Sequence, residues 1–119
     1  MAQQFTIPGR LSGYNELNTG HWYARNKLKR DNMERVGWYI KVYGIKPVTG
    51  KAMVTIRCYE PTKRRDKSNV RAGAEKLVLD SLQECGIIRN DNWKWLHDKP
   101  ATVEYDKNAR VEVEIEGSV

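Results

Sequence analysis

Asp66, Ser68 and Asn69 stand together just after a basic run, Lys63-Arg64-Arg65, and a second acidic group follows at Asn90-Asp91-Asn92. Between them lies a helical pattern carrying Lys76 and Asp80. Carboxylate oxygens suit hard divalent cations, and Mg²⁺ keeps several waters while bound by one or two carboxylates and a phosphate. Phosphodiester hydrolysis needs a metal-activated water and charge stabilisation on the non-bridging oxygens. A nearby lysine can stabilise the charge that develops. Asp66, Asp91 and Lys76 are of the right types for those roles. The same residues have plainer readings. Asp beside Ser at a helix start is a cap, Asn-Asp-Asn after a helix is a loop, and a lysine on a helix flank is solvated.

A chain of 119 residues is one domain's worth, 1–119, with room for a modest core. Charged residues make up 30% against 39% hydrophobic, which places it with soluble globular chains rather than disordered ones. The net charge of +6 suits a polyanionic partner, of which nucleic acid is the commonest. Cys58 and Cys85 have no CxxC partner and no neighbouring pair of histidines, so zinc is not expected. The opening MAQQFTIPG has no basic-then-apolar signal pattern, and no apolar run approaches the roughly 20 residues that span a bilayer. Free thiols in a reducing cytoplasm, with no membrane association, are the simplest expectation.

The elements that must position these groups follow from periodicity. Gln4 to Ile7 alternates and is closed by Pro8-Gly9, which predicts a short strand. From His21 to about Tyr43, Trp22, Leu28, Met33, Val36, Tyr39, Ile40 and Tyr43 recur at threes and fours, which predicts a long basic helix. Its cations are interleaved with Trp22, Tyr23, Trp38 and Tyr39. Such a mix can neutralise phosphates and stack on unpaired bases, or the aromatics belong to the core. Lys51 to Tyr59 reads as a central strand with Ala52, Val54, Ile56 and Cys58 on one face. A second helix runs from about Ser68 to Glu84, with Asp66 or Ser68 as its cap and Gly86 as its stop.

On that second helix Val70, Ala74, Leu77, Val78, Ser81 and Cys85 share a core arc, while Asn69, Gly73, Lys76 and Asp80 form a neighbouring polar stripe. Ala101 to Tyr105 is a further strand, Asp106 to Ala109 reads as a hairpin turn, and RVEVEIE from Arg110 to Glu116 is a half-buried last strand. The fold class expected is mixed α/β (α+β), a small mixed sheet packed with two main helices on one face or both.

The order Arg64-Arg65-Asp66-Lys67-Ser68-Asn69, then Lys76 through Asp80 and Leu82 to Gly86, then Asn90-Asp91, resembles the RusA family of Holliday junction resolvases, its phage-type branch in particular. FTIPGRLSGYNE, with Pro8 and Asn15, is similar to that family's opening strand and loop, and RVEVEIE to its last strand. The resemblance implies a homodimeric, Mg²⁺-dependent endonuclease, with Mn²⁺ as a substitute, that cuts four-way DNA junctions by paired symmetric nicks. It is the kind of enzyme a bacterium or prophage would use in recombination and repair. The family's acidic triad falls on Asp66, position 68 and Asp91, and its lysine on Lys76, with Arg71 the other candidate for that cation. Lys63, Arg64, Arg65 and Arg71 are the expected DNA contacts. Where the family has a second acid, this chain has Ser68. A hydroxyl can touch a metal or its water but brings no charge, so the alternative is a junction-binding protein that cuts poorly.

Overall fold

A computed structural model describes residues 2–90 and 92–118. In chain order the elements are β1 (Gln3–Pro8), α1 (Tyr14–Leu17), α2 (Trp22–Val42), β2 (Lys51–Glu60), α3 (Lys67–Glu84), β3 (Thr102–Tyr105) and β4 (Arg110–Ser118). The sheet order is β1-β4-β2-β3, so β2 and β4 are interior. β4 pairs antiparallel with both β1 and β2, while β3 runs parallel to β2. The fold is a small mixed α+β domain.

Period-two alternation decides which sheet face is covered. Phe5 and Ile7, Ala52 to Cys58 in alternation, and Val111, Val113 and Ile115 are all buried and join Val36, Ile40, Leu77, Val78 and Leu82 from the helices in one core. The other face carries the glutamates of β4 and Arg57. Helices therefore cover one face only. The Arg57–Glu112 pair lies directly cross-strand at 3.1 Å on the open face. There Glu112 is held below the usual carboxylate range, first by its bond from Arg110 and then by Arg57.

The turn expected at Asp106–Ala109 is not a hairpin. β2 lies between β3 and β4, so these residues carry the chain past the C-terminal end of β2, where the Asp106 N–H donates to the Glu60 carbonyl at 2.9 Å. Four residues suffice because the chain reverses over a single strand. β2, α3 and β3 make a βαβ unit, and the return from α3 to β3 pairs briefly with β2 through the Ala52–Leu96 bridge.

Two helix readings need correction. Cys85 is exposed rather than part of the core arc. Trp22, Tyr23, Trp38 and Tyr43 are exposed, and only Tyr39 of the α2 aromatics packs partly on the core. His21 caps α2 by accepting the Tyr23 N–H on Nδ1. No described helix is long and apolar enough to cross a membrane.

Candidate metal and nucleic-acid site

The site lies where β2 and β3 end and α3 begins. Asp66 is the N-cap of α3: its carboxylate accepts the Ser68 N–H at 3.3 Å and the Ser68 hydroxyl at 3.0 Å. The capping role is thus present, and the carboxylate stays exposed. The first turn of the 18-residue helix adds its unpaired N–H groups and a positive dipole end at that point.

Arg65 is turned inward. Its Nε and Nη2 donate to both oxygens of Glu60 at 2.8 and 2.9 Å, Nη1 donates to Glu16 at 3.0 Å, and Nη2 also reaches the Leu11 carbonyl at 3.1 Å. Expected as a DNA contact, it serves within the fold as a clamp joining the end of β2 to the loop before α1. Glu60 continues the inward phase of β2 after Cys58 and is buried. Arg10 reaches the same carboxylate at 3.7 Å from a half-exposed position, so Arg65 is the buried partner of that charge and Arg10 the outer one.

That loop is held from both sides. Asn32 on α2 accepts from the Ser12 N–H and donates to its hydroxyl, and Arg35 donates to the carbonyls of Pro8 and Arg10. On the α3 side, Asn69 accepts the Asn15 N–H at 2.6 Å. Gly73 lies against the loop so closely that a Cβ there would stand 2.4 Å from the Ser12 carbonyl oxygen. The polar stripe expected along Asn69, Gly73, Lys76 and Asp80 is therefore covered by protein over its first half.

The remaining cations divide clearly. Lys63, Arg64, Lys67 and Arg71 form no ion pair among the described residues, although Lys63 lies over the Tyr105 ring at 5.8 Å. Lys76 pairs with Asp80 at 3.3 Å, and Lys29 from α2 reaches the same carboxylate at 3.1 Å. Lys76 lies ten residues beyond Asp66, about 15 Å along the helix axis, whereas Arg71 is one turn and a half away. Of the two candidates for the functional cation, Arg71 is the nearer to Asp66 along the helix axis.

No protein-family model matches this chain, and no curated protein matches it.

Asp91 lies outside the described residues. The residues around it sit far from Asp66. The Ile88 N–H bonds the Leu82 carbonyl at the C-terminal end of α3, and the Asn92 carbonyl accepts from Trp95 and Leu96. Those two residues lie beside Ala52, at the start of β2. Asp66 is near the other end of β2. Among the described residues no three His, Cys, Asp or Glu side chains gather in a way that could hold a metal ion.

Nor does the described chain offer a cysteine nucleophile at this site. Burial pushes the Cys58 thiol up to about 12, keeping it protonated. Two groups of this region were missed by sequence reasoning. Glu60 had a usable signal, an acid in the buried phase of a strand followed by arginines. Tyr105 had none, because its position depends on β3 lying beside β2.

Proposed function

We propose that the chain is a Mg²⁺-dependent, structure-selective DNA endonuclease acting on four-way junctions, a homodimer of the RusA-like kind that its motifs resemble. The observation that carries this reading is the exposed Asp66 carboxylate at the start of α3, amid cations that no carboxylate of the described fold neutralises. Lys63, Arg64, Lys67 and Arg71 can draw a phosphate backbone to the helix start. Mg²⁺ takes one or two protein carboxylates and completes its shell with water and phosphate, so Asp66 fits as the protein's share here, with the Ser68 hydroxyl beside it. When bound, such an ion supplies an activated water and offsets charge on the phosphate.

The described residues on either side of position 91 stand at the far end of α3, and this reading has the site shared between two copies of the chain. A twofold dimer then presents two such sites at a fixed separation, which paired nicks require. A bacterial or prophage-bearing cytoplasm is the compartment this reading assigns.

One observation favours a second reading, a junction binder that cuts poorly. Ser68 stands where the family has an acid, and its hydroxyl donates to Asp66 itself. A labelled synthetic four-way junction with Mg²⁺ or Mn²⁺ separates the two. Nicking by the chain as it stands, abolished in Asp66→Asn with binding kept, supports the first; Asn also caps helices well, so the fold should survive. Binding without nicking, with cutting gained in Ser68→Asp, supports the second. Wild-type rates in Asp66→Asn would defeat the site assignment.

A further inference from the structure

We propose that the hollow at the C-terminal ends of β2 and β3 takes an unpaired nucleobase, stacked on Tyr105, with Lys63 and Lys67 on its phosphate. This deepens the nuclease reading and rests on it. In open sheets with parallel strands, ligands settle beyond the carboxyl ends of those strands, next to the N-terminus of the connecting helix. Here the parallel pair is β2–β3, the connecting helix is α3, and a cavity of about 270 Å³ opens at that position. It is slightly below the usual range for small-molecule pockets, a size for one planar ring system rather than a length of strand.

The chemistry of the lining points the same way. Tyr105 ends β3 with 55% of its surface exposed, so a large aromatic stands in water where an ordinary strand end would carry a polar residue. Lys63 lies over the ring at 5.8 Å, and the exposed ring surface is what a base would stack on. Val103 supplies apolar surface, and Lys63 and Lys67 supply cations for a phosphate. Two carboxylates also face the hollow, and they differ. Glu60 is neutralised by its bidentate bond from Arg65, while Glu104 is free to accept from an exocyclic amine. An anionic peptide would meet Glu104 unfavourably and would have no use for the ring. A crossover in branched DNA, unlike continuous duplex, offers bases that can leave the stack.

The test uses the full chain carrying Asp66→Asn, so that nothing is cut, and a four-way junction with 2-aminopurine at the crossover. Binding should quench the probe. Tyr105→Phe should keep both quenching and affinity. Tyr105→Ala should lose the quenching and bind about tenfold more weakly, in the range that single base-stacking contacts give. Tyr105→Leu keeps bulk without a π-face and should behave like the alanine variant, which covers the case that alanine disturbs β3. Quenching and affinity unchanged in both the alanine and leucine variants would overturn the stacking site while leaving junction binding intact. A parent protein that does not bind the junction would overturn the nuclease reading itself, and this site with it.

Discussion

The two ends of α3 use the same residue types to opposite effect. Along its middle and C-terminal part the cations at the seam with α2 are paired: Lys29 and Lys76 share Asp80, Arg30 meets Glu84 at 2.9 Å, and on α2 Lys27 meets Asp31 at 2.8 Å. At the N-terminal end, one arginine is paired deep inside and the cations around it are left to solvent. Lys63, Arg64, Lys67 and Arg71 thus stand without an acid among the described residues at this corner, around an arginine, Arg65, turned inward. By neutralising Glu60 internally it removes an acid that would otherwise compete for Lys63 and Lys67. Exposed pairs on the α2–α3 face stabilise little; the buried pair organises the corner.

The sharpest way to break that contrast is to remove one arginine from each region. Arg65→Ala leaves the Glu60 carboxylate, 7% exposed, with only the half-exposed Arg10 at 3.7 Å, and should cost about 3 kcal/mol in urea unfolding, the low end for breaking a buried pair. Arg30→Ala removes a pair in which both side chains are 55% exposed, and should cost less than about 1 kcal/mol. Equal losses would mean that the two regions are built alike.

Glycines give the next largest effect, with opposite signs. Gly73→Ala puts a methyl into the Ser12 carbonyl and the Gly13 backbone. Overpacking of that kind costs about 1–3 kcal/mol, more than the roughly 1 kcal/mol that alanine gains in helix propensity. Gly37→Ala, in α2, meets only the Cys85 sulfur at 3.8 Å, so the propensity gain of about 0.5–1 kcal/mol should appear as added stability. Thermal unfolding of the two variants checks both signs.

How much of this was legible beforehand follows from the range of each interaction. β1, α2, β2 and α3 were readable to within a residue or two because their patterns are local: alternation, threes and fours, an Asp cap and a Gly86 stop. The Asp66 cap and the cations beside it were readable for the same reason. What failed depended on partners distant in sequence. Arg65 looked like its neighbour Arg64 because nothing local says that Glu16 and Leu11 lie above it. Gly73 looked like part of a polar stripe because the loop that covers it comes 60 residues earlier in the chain. The turn at Asp106–Ala109 looked like a hairpin because β2, inserted between β3 and β4, is not adjacent in sequence. Trp22 and Tyr43 were periodic enough to read as core and are exposed; periodicity marks a face but not what covers it.

The smallest effect tests whether the corner, and not the α2–α3 face, follows the DNA backbone. Each phosphate neutralised on duplex arms contributes about 0.9 to the slope of log affinity against log salt. Arg64 has no internal acid, so Arg64→Ala should make the slope for junction binding shallower by about that amount. Lys29 is held by Asp80 at 3.1 Å, and a cation already neutralised by the protein releases few counterions from DNA, so Lys29→Ala should leave the slope where it was. The affinity change for Arg64→Ala at one fixed salt is only several-fold, so the slope is the more discriminating readout. The opposite pattern, with Lys29 setting the slope and Arg64 silent, would move the phosphate track to the α2–α3 face, where Trp22 and Tyr23 stand exposed beside Lys27 and Arg30. Asp66 would then be a helix cap with no DNA near it.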